Sequence, residues 1–317
     1  MGFFGVSSLG SQTPFEIEAC HISFWVLAKP WYQFFGYNFC FDVGLRIRSQ
    51  ELLRRIRIVL PFDSDNVTVS DLSGVVLDPD FSPLIFGKPV SIDNGYVTYD
   101  GPLAGHDEIR DRVIPISAKN STAEQISASK SGFSIWNIEL EQQTEINEFT
   151  YIRFRIPAKN PWRIWASKGW GLAKRGIVVD FRISDIRESL LLGHGKSEAE
   201  HLVPIKQLFL FLVVPSYFVP NHFSPDLHYS RLLEPNVWKS YLANSSSYTE
   251  DTKFSIHQWR QTKNTTNVEN PYRAYMDLSR EFGKEVFFYY GAAIFAAPLL
   301  IHLVETLARH LWDGIFG

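Results

Sequence analysis

The chain has 317 residues, including 25 Phe, 13 Tyr and 9 Trp, and a formal net charge of −3. This length suits one large domain or two smaller ones, and the aromatic content favours strands over helices. The slightly acidic balance excludes a polycation that wraps nucleic acid, so any basic site is local. Two cysteines, Cys20 and Cys40, are too few for a disulfide framework and lack the spacing of a structural zinc site.

The N-terminal segment carries no export signal that we recognise. It lacks the basic region and the continuous apolar region of a secretory signal, and Val6 stands where myristoylation needs Ser or Thr. We expect residues 1–13 to be flexible and the following domain to stay in the cytosol with reduced thiols. A single bridge between Cys20 and Cys40 stays possible if the domain is exported.

Alternation of apolar and polar residues predicts a β-rich domain over residues 14–219. The clearest strand is Phe39 to Ile47, and a second one, Arg54 to Leu60, follows a short polar break, so the two are predicted to form a hairpin. Further strands are predicted, in chain order, at Phe15–Leu27, Val67–Leu72, Tyr96–Tyr99, Gly132–Leu140, Phe149–Ile156, Ile177–Ile183 and Gln207–Val214. Pro, Gly, Asp and Asn clusters between them favour a mainly β fold, an antiparallel β-sandwich or barrel.

Basic side chains recur on the polar faces of three predicted strands. They are Arg46, Arg48, Arg55, Arg57, Arg153 and Arg155. If these strands share one sheet, six guanidinium groups form one surface, and their planar donors suit phosphates or carboxylates. The alternative is that arginine covers solvent-facing or edge strands and discourages aggregation.

A second basic segment, residues 159–175, interleaves tryptophan with cations and contains no acid. The residues that we single out are Trp162, Arg163, Trp165, Lys168 and Trp170. Indole rings and cations suit a lipid headgroup layer, and the same composition suits a stacked base with its phosphates. The alternative is that the tryptophans pack a strand connection onto the core.

The sequence of the C-terminal third predicts that the β-rich domain is followed by a connector and then by helices. Residues 220–270 are polar and predict a loop-rich connector, and residues 271–285 predict a juxtamembrane helix that begins near Pro271. Residues 286–304 carry no formal charge and reach roughly 28 Å as a helix, which suffices to span a hydrocarbon core. We therefore predict a single transmembrane helix, with a short tail over 305–317; a buried core helix is the alternative.

Charges and small residues around the predicted span bear on its orientation and association. Arg273, Arg280 and Lys284 precede it and only Arg309 follows it closely, which puts the N-terminal domain on the cytosolic side. Small residues recur four apart within it, a spacing that favours contact between helices in a homo-oligomer. They are Ala292, Ala293, Ala296 and Ala297.

No catalytic, cofactor or metal motif is recognised in the sequence. Leu190 replaces the first glycine of a phosphate loop ahead of Gly195 and Lys196, and His194, Glu198 and His201 lack the order of a zinc motif.

The leading hypothesis is a non-enzymatic binding or sensor module for an anionic ligand or protein partner, tethered to membrane lipid, for example a membrane-perturbing effector in antiviral defence. The alternatives are an assembly subunit of a membrane complex and a lipid-acting or hydrolytic enzyme.

Overall fold

The structure is a computed structural model, and it describes most of the chain. The described residues are 2–7, 15–28, 37–49, 54–62, 69–86, 89–99, 111–124, 134–140, 149–158, 161, 164–170, 174–185, 202–234, 238, 241–242, 252–262, 265–267, 269–281, 291–292 and 294–306.

Strands dominate the described residues. In chain order they are β1 Gly2–Ser7, β2 Phe15–Ala28, β3 Tyr37–Ser49, β4 Arg55–Leu60, β5 Ser70–Asp71, β6 Val90–Asp93, β7 Tyr96–Tyr99, β8 Asp111–Pro115, β9 Ala118–Glu124, β10 Ser134–Leu140, β11 Phe149–Ala158, β12 Trp165–Trp170, β13 Lys174–Ile183, β14 Ile205–Pro215, β15 Phe218–Ser224, β16 Tyr229–Leu232, β17 Phe254–Gln261 and β18 Tyr272–Glu281. Two short helices, α1 Ser73–Val76 and α2 Ser82–Phe86, lie between β5 and β6. The prediction of a mainly β fold is confirmed.

The strands form two sheets. The eight-stranded sheet has the order β15-β18-β13-β1-β4-β10-β9, with β12 beside β13. The ten-stranded sheet has the order β16-β17-β14-β2-β3-β11-β8-β7-β6, with β5 beside β11. Among the described pairs, β1 with β13, β2 with β14 and β8 with β11 are parallel, so the sheets are mixed and the predicted fully antiparallel arrangement is wrong.

The two sheets pack face to face as a β-sandwich around one large apolar core. Every second residue of the central strands points inward, which is why the sequence alternates. Phe24 of β2 meets Phe181 of β13 across the sheets, with ring centroids 5.8 Å apart. Both side chains are buried, and burial of a side chain of this size contributes about 1.5–3 kcal/mol to stability.

The predicted hairpin of Phe39–Ile47 with Arg54–Leu60 is wrong, although both strands are present. β3 belongs to the ten-stranded sheet and β4 to the eight-stranded sheet, so the chain crosses from one layer to the other between them. Alternation indicates which face of a strand is buried, but it does not indicate which sheet the strand joins. Here the apolar faces of both strands meet in the shared core.

The sandwich extends well beyond Val219. The predicted connector over residues 220–270 contains β16 and β17, and Trp259 of β17 is fully buried in the core. The helix predicted over 271–285 is wrong for residues 272–281, which form the strand β18, and residues 282–285 lie outside the described residues. In β18 the side chains of Ala274, Met276 and Leu278 enter the core. The sequence of this segment matches both the two-residue period of a strand and the spacing of a helix. It forms a strand because it pairs with β13 along its whole length.

Two predictions at the N-terminal side are also resolved. Residues 2–7 of the predicted flexible segment form β1, in which Phe4 and Val6 are buried, because β13 and β4 pair with this strand on either side. Cys20 and Cys40 are buried and unbridged. The register opposes Cys40 to Trp25, five residues along β2 from Cys20, or about 17 Å, too far for a disulfide.

The C-terminal helix comprises residues 291–292 and 294–306 as described. Its large apolar side chains are 59–78% exposed. They are Ile294, Phe295, Leu299, Leu300, Ile301, Leu303 and Val304. In the part of the chain that the structure describes, no helix has the length and apolar character needed to cross a membrane. Residues 286–290 and 293 of the predicted span lie outside the described residues, and the span stays a prediction.

An outer layer covers the middle of the ten-stranded sheet on the side away from the core. It consists of residues 72–86, which include α1 and α2, together with Leu233, Trp238, Tyr241 and Leu242. These side chains pack on Trp25, Leu27 and Val213 in a second apolar cluster. The outer layer therefore buries side chains that alternation alone would place in solvent.

Candidate functional site

A buried polar cluster lies between the ten-stranded sheet and the outer layer. It contains His21 of β2, Asp42 of β3, Tyr151, Arg153 and Arg155 of β11, and Tyr241 of the outer layer. The five strand residues share the face opposite the core because side chains alternate along a strand. Each of the six is less than 8% exposed, so the charges must find partners within the protein.

Arg155 and Asp42 form a bidentate ion pair inside this cluster. Arg155 donates from Nε to Oδ1 at 2.6 Å and from Nη2 to Oδ2 at 2.9 Å, and its Nη1 donates to the carbonyl oxygen of Tyr241 at 3.3 Å. Burial opposes ionisation of Asp42, but the charge and hydrogen bonds of Arg155 outweigh it and hold the pKa of Asp42 below its ordinary value. Both oxygens of the Asp42 carboxylate therefore accept a hydrogen bond from Arg155.

Arg153 is equally buried but makes no such pair among the described residues. It donates from Nε and Nη2 to the Tyr241 hydroxyl at 3.3 and 3.1 Å, and from Nη1 to the Tyr151 hydroxyl at 3.2 Å. Tyr241 in turn donates to Oδ2 of Asp42 at 2.6 Å. Two buried guanidinium groups thus share one described carboxylate, and Arg153 reaches it only through a phenol hydroxyl.

Tyr151 extends the network to His21. The Tyr151 hydroxyl accepts from Arg153 and lies 2.9 Å from Nδ1 of His21, to which it can donate. Burial, with the charges of Arg153 and Arg46, lowers the pKa of His21 to about 3, so this imidazole is neutral at physiological pH. A neutral histidine adds no charge to the cluster.

Gly44 makes room for this network. It lies opposite Arg153 in the register of β3 with β11. A Cβ atom at Gly44 would overlap the Tyr151 hydroxyl and approach Nη1 of Arg153 to 3.1 Å. The absence of a side chain therefore lets Tyr151 and Arg153 lie against the β3 backbone.

A small cavity of about 30 Å³ adjoins Arg153. Its polar lining is His21, Ser23, Arg153 and Arg231, and its apolar and aromatic lining is Trp25, Leu84, Ile85, Phe211, Val213, Tyr229, Trp238 and Ile256. The volume has room for about two water molecules or one small oxoanion. Arg231 is exposed and Arg153 is buried, so the cavity joins an inner cation to an outer one.

The structure divides the six predicted arginines. Arg46, Arg153 and Arg155 are buried together on the outer face of the ten-stranded sheet, where Arg46 lies 3.9 Å from the Phe149 ring centre, and Arg48 is exposed near the end of β3. Arg55 and Arg57 lie in the eight-stranded sheet, where they contact Glu139 and Asn137. The expectation of one six-guanidinium surface is therefore wrong, because β3 and β4 belong to different sheets.

The tryptophan-rich segment is only partly described. Trp162 and Arg163 lie outside the described residues, and Lys168 and Trp170 belong to β12. Trp165 is buried in the core, where it contacts Phe24, Phe39 and Phe218, so its proposed place in a membrane or ligand loop is wrong. Its apolar neighbours account for it without a ligand.

The small residues of the predicted helix contact are mostly described. Ala292, Ala296 and Ala297 are exposed on the C-terminal helix, and Ala293 lies outside the described residues. His194, Glu198 and His201 also lie outside them. Elsewhere, no group of three or more His, Cys, Asp or Glu side chains among the described residues could hold a metal ion.

Sequence reasoning missed His21, Asp42, Gly44, Tyr151 and Tyr241. Asp42 and His21 interrupt strongly apolar strands, and an acid in such a strand is a signal that its partner is buried with it. Tyr241 carried no signal, because it lies in a polar segment that predicts a connector.

Comparisons with known proteins provide no family. No protein-family model matches the chain, and no curated protein matches it. An M1 zinc metallopeptidase from Deinococcus radiodurans has a TM-score of 0.32 and 9% identity over 85% of this chain and 43% of that chain. A two-domain M1 zinc metallopeptidase mutant bound to L-arginine has a TM-score of 0.34 and 9% identity over 86% of this chain and 43% of that chain. The chain spans less than half of these structures, and TM-scores this low carry no argument about function.

Proposed function

We propose that the domain binds a small anionic ligand in the cavity beside Arg153 and is attached to a membrane by its C-terminal helix. The observation that carries the ligand proposal is the pairing of Arg153. This guanidinium is buried, lines a cavity, and has hydroxyl groups rather than a carboxylate as its described direct partners. A buried cation without a direct counter-ion is costly, and a bound anion removes that cost.

The cavity lining supports an anion that carries an apolar or planar group. Trp25, Trp238 and Phe211 provide aromatic surface, and Arg153 provides a planar fork for an oxoanion. At about 30 Å³ the cavity accommodates the oxoanion itself. A larger ligand would extend past Arg231 and Tyr229 towards solvent, so we propose that its charged end enters first.

The exposed apolar face of the C-terminal helix supports the membrane attachment. Side chains such as Phe295 and Leu299 are 78% and 72% exposed, and water does not favour such a surface on a monomeric protein. The uncharged sequence of residues 286–304 is long enough to span a bilayer as one helix. We propose a membrane effector in which ligand binding favours contact between helices through Ala292 and Ala296.

A calorimetric titration of the full-length protein in detergent tests the ligand proposal. The probes are inorganic phosphate, benzoate and adenosine monophosphate, which separate an oxoanion from a planar carboxylate and a planar phosphate ester. We expect at least one probe to bind the wild type with a stoichiometry of one, and Arg153→Gln to weaken that binding tenfold or more. Arg55→Gln, on the other sheet, is the matched control and should bind like the wild type. If Arg153→Gln bound the probe as tightly as the wild type, the result would contradict the proposal.

An assembly subunit of a membrane complex is the second candidate. The same exposed helix would bury equally well against another protein, and Leu232 at the sheet edge is 62% exposed. A stoichiometric partner that co-purifies with the full-length chain and is lost from a chain ending at Lys284 would favour this candidate over a free-standing sensor.

A further inference from the structure

The end of the sandwich at which β18 finishes carries basic and aromatic residues. β18 ends at Glu281, which is opposite Lys174, the first residue of β13, and Arg280 is opposite Phe218, the first residue of β15. The turn between β14 and β15 therefore lies at the same end, which we name the helix-proximal end because the chain continues from it to the C-terminal helix. Its basic and aromatic residues with described side chains are Tyr37, Tyr217, Lys253 and Arg280.

Arg280 joins the aromatic residues of this end. It donates from Nη1 to the Tyr37 hydroxyl at 2.7 Å, and its guanidinium carbon lies 4.5 Å from the centre of the Tyr217 ring. Tyr217 is 36% exposed in the turn that follows β14. A tyrosine ring with an adjacent guanidinium is amphipathic and suits the layer between lipid headgroups and water.

Charged residues occur at both ends of the same strands. Glu234, Lys253 and Arg280 lie at the helix-proximal end. At the opposite end Asp185, Asp226 and Glu269 lie with Arg182, Lys206, Arg260 and Arg273, and Arg273 pairs with Asp185 at 2.6 Å. Net charge therefore does not distinguish the two ends, whereas the contact of Arg280 with Tyr217 does.

We infer that the helix-proximal end rests on the surface of the bilayer, with Tyr217 and Arg280 at the level of the headgroups. The inference rests on the proposed membrane attachment, because β18 ends at this surface and the chain continues from it to the C-terminal helix. It also places the ligand cavity near the bilayer, since Trp25 lies three residues, or about 10 Å, from the end of β2.

Fluorescent labels at the two ends of the sandwich test this orientation. The variants Tyr217→Cys and Glu269→Cys place a label at either end of β18, about 30 Å apart along ten strand residues. Cys20 and Cys40 are buried, and wild-type protein under the same labelling conditions measures their background reaction. Ser216→Cys, in the same turn, replaces Tyr217→Cys if that variant folds poorly.

The full-length labelled proteins are reconstituted into phosphatidylcholine vesicles containing phosphatidylglycerol and a headgroup-attached quencher. We expect the label at position 217 to be quenched at least threefold more than the label at position 269. Equal or reversed quenching in protein that floats with the vesicles would overturn the orientation and leave the membrane attachment standing. Failure to float would overturn both, whereas the anion titration of the Arg153 cavity is independent of either result.

Discussion

Arg153 and Arg155 lie two residues apart on one face of β11, yet only Arg155 binds the buried carboxylate of Asp42 directly. Arg155 donates two hydrogen bonds to Asp42, while Arg153 donates to the hydroxyls of Tyr151 and Tyr241. Two buried cations beside one described carboxylate leave positive charge at the wall of the cavity. This asymmetry assigns different roles to neighbouring arginines: Arg155 stabilises the fold, and Arg153 is proposed to hold the ligand.

Replacing Asp42 by Asn should destabilise the protein strongly. The change leaves both guanidinium groups without their shared carboxylate, and loss of one partner of a buried ion pair costs roughly 3–5 kcal/mol. Urea denaturation of the full-length protein in detergent measures this loss. Glu139→Gln is the control, because the Arg55–Glu139 pair is exposed, and such pairs contribute about 0–1 kcal/mol. Equal effects of the two substitutions would contradict the assigned role of Asp42.

Gly44→Ala should disturb the network through Tyr151. The new methyl group overlaps the Tyr151 hydroxyl, and overpacking of a buried site costs roughly 1–3 kcal/mol. Binding of the anionic probe should weaken together with stability, because Arg153 loses a hydrogen-bond partner. Gly74→Ala is the control, since a Cβ there meets no atom within 4 Å. An unchanged denaturation midpoint for Gly44→Ala would show that Tyr151 moves without cost.

Stability should fall as the pH drops below about 6.5, the ordinary pKa of histidine. Burial lowers the pKa of His21 to about 3 and that of His257 to about 4. Below pH 6.5 these histidines therefore bind protons in the unfolded chain but stay neutral in the folded protein. Each such proton lowers the free energy of unfolding by about 1.4 kcal/mol per pH unit across this window. Denaturation midpoints between pH 4 and 8 measure the slope. The double variant His21→Gln, His257→Gln should have a flatter profile, and an unaltered slope would contradict the assignment.

Half of the described strands were predicted, mainly because apolar residues at every second position form the face of a strand that meets the core. The alternating runs at Phe39–Ile47 and Phe149–Ile156 are confirmed as β3 and β11. Their assignment to sheets was not predictable, since the inward faces of β3 and β4 have the same pattern although the strands lie in different layers. β18 was predicted as a helix because Tyr275 and Leu278 also match a helical spacing. Its pairing with β13, which is distant in the sequence, makes this segment a strand.

The candidate site was predictable only in part. Arg153 and Arg155 were singled out as cations on a strand face, but their burial depends on the outer layer, whose Tyr241 lies 88 and 86 residues along the chain from them. Asp42 is 113 residues from Arg155. A local pattern does not indicate which of two neighbouring arginines receives the carboxylate, because register and the outer layer decide that.

Charges introduced into the C-terminal helix should release the protein from membranes. Leu299 and Leu300 are exposed, and an aspartate near the middle of a spanning helix costs roughly 2.5–3.5 kcal/mol per residue. Alkaline extraction of membrane fractions should retain the wild type, release the double variant Leu299→Asp, Leu300→Asp, and release a chain ending at Lys284. Leu232→Asp, an exposed leucine on an edge strand, should remain with the membrane. Retention of the helix variants would contradict the attachment.

The most direct test of the ligand proposal compares Arg153→Met with Arg155→Met by urea denaturation in a buffer of low anion content, with and without added phosphate. Without phosphate we expect Arg153→Met to be at least as stable as the wild type, because it removes a buried cation while Tyr241 still donates to Asp42. Arg155→Met should lose roughly 3–5 kcal/mol, because it leaves Asp42 without its direct ion-pair partner. Added phosphate should stabilise the wild type and not Arg153→Met. A loss in Arg153→Met as large as that in Arg155→Met, with no difference on phosphate addition, would show that Arg153 is part of the structural network and would contradict the proposed ligand site.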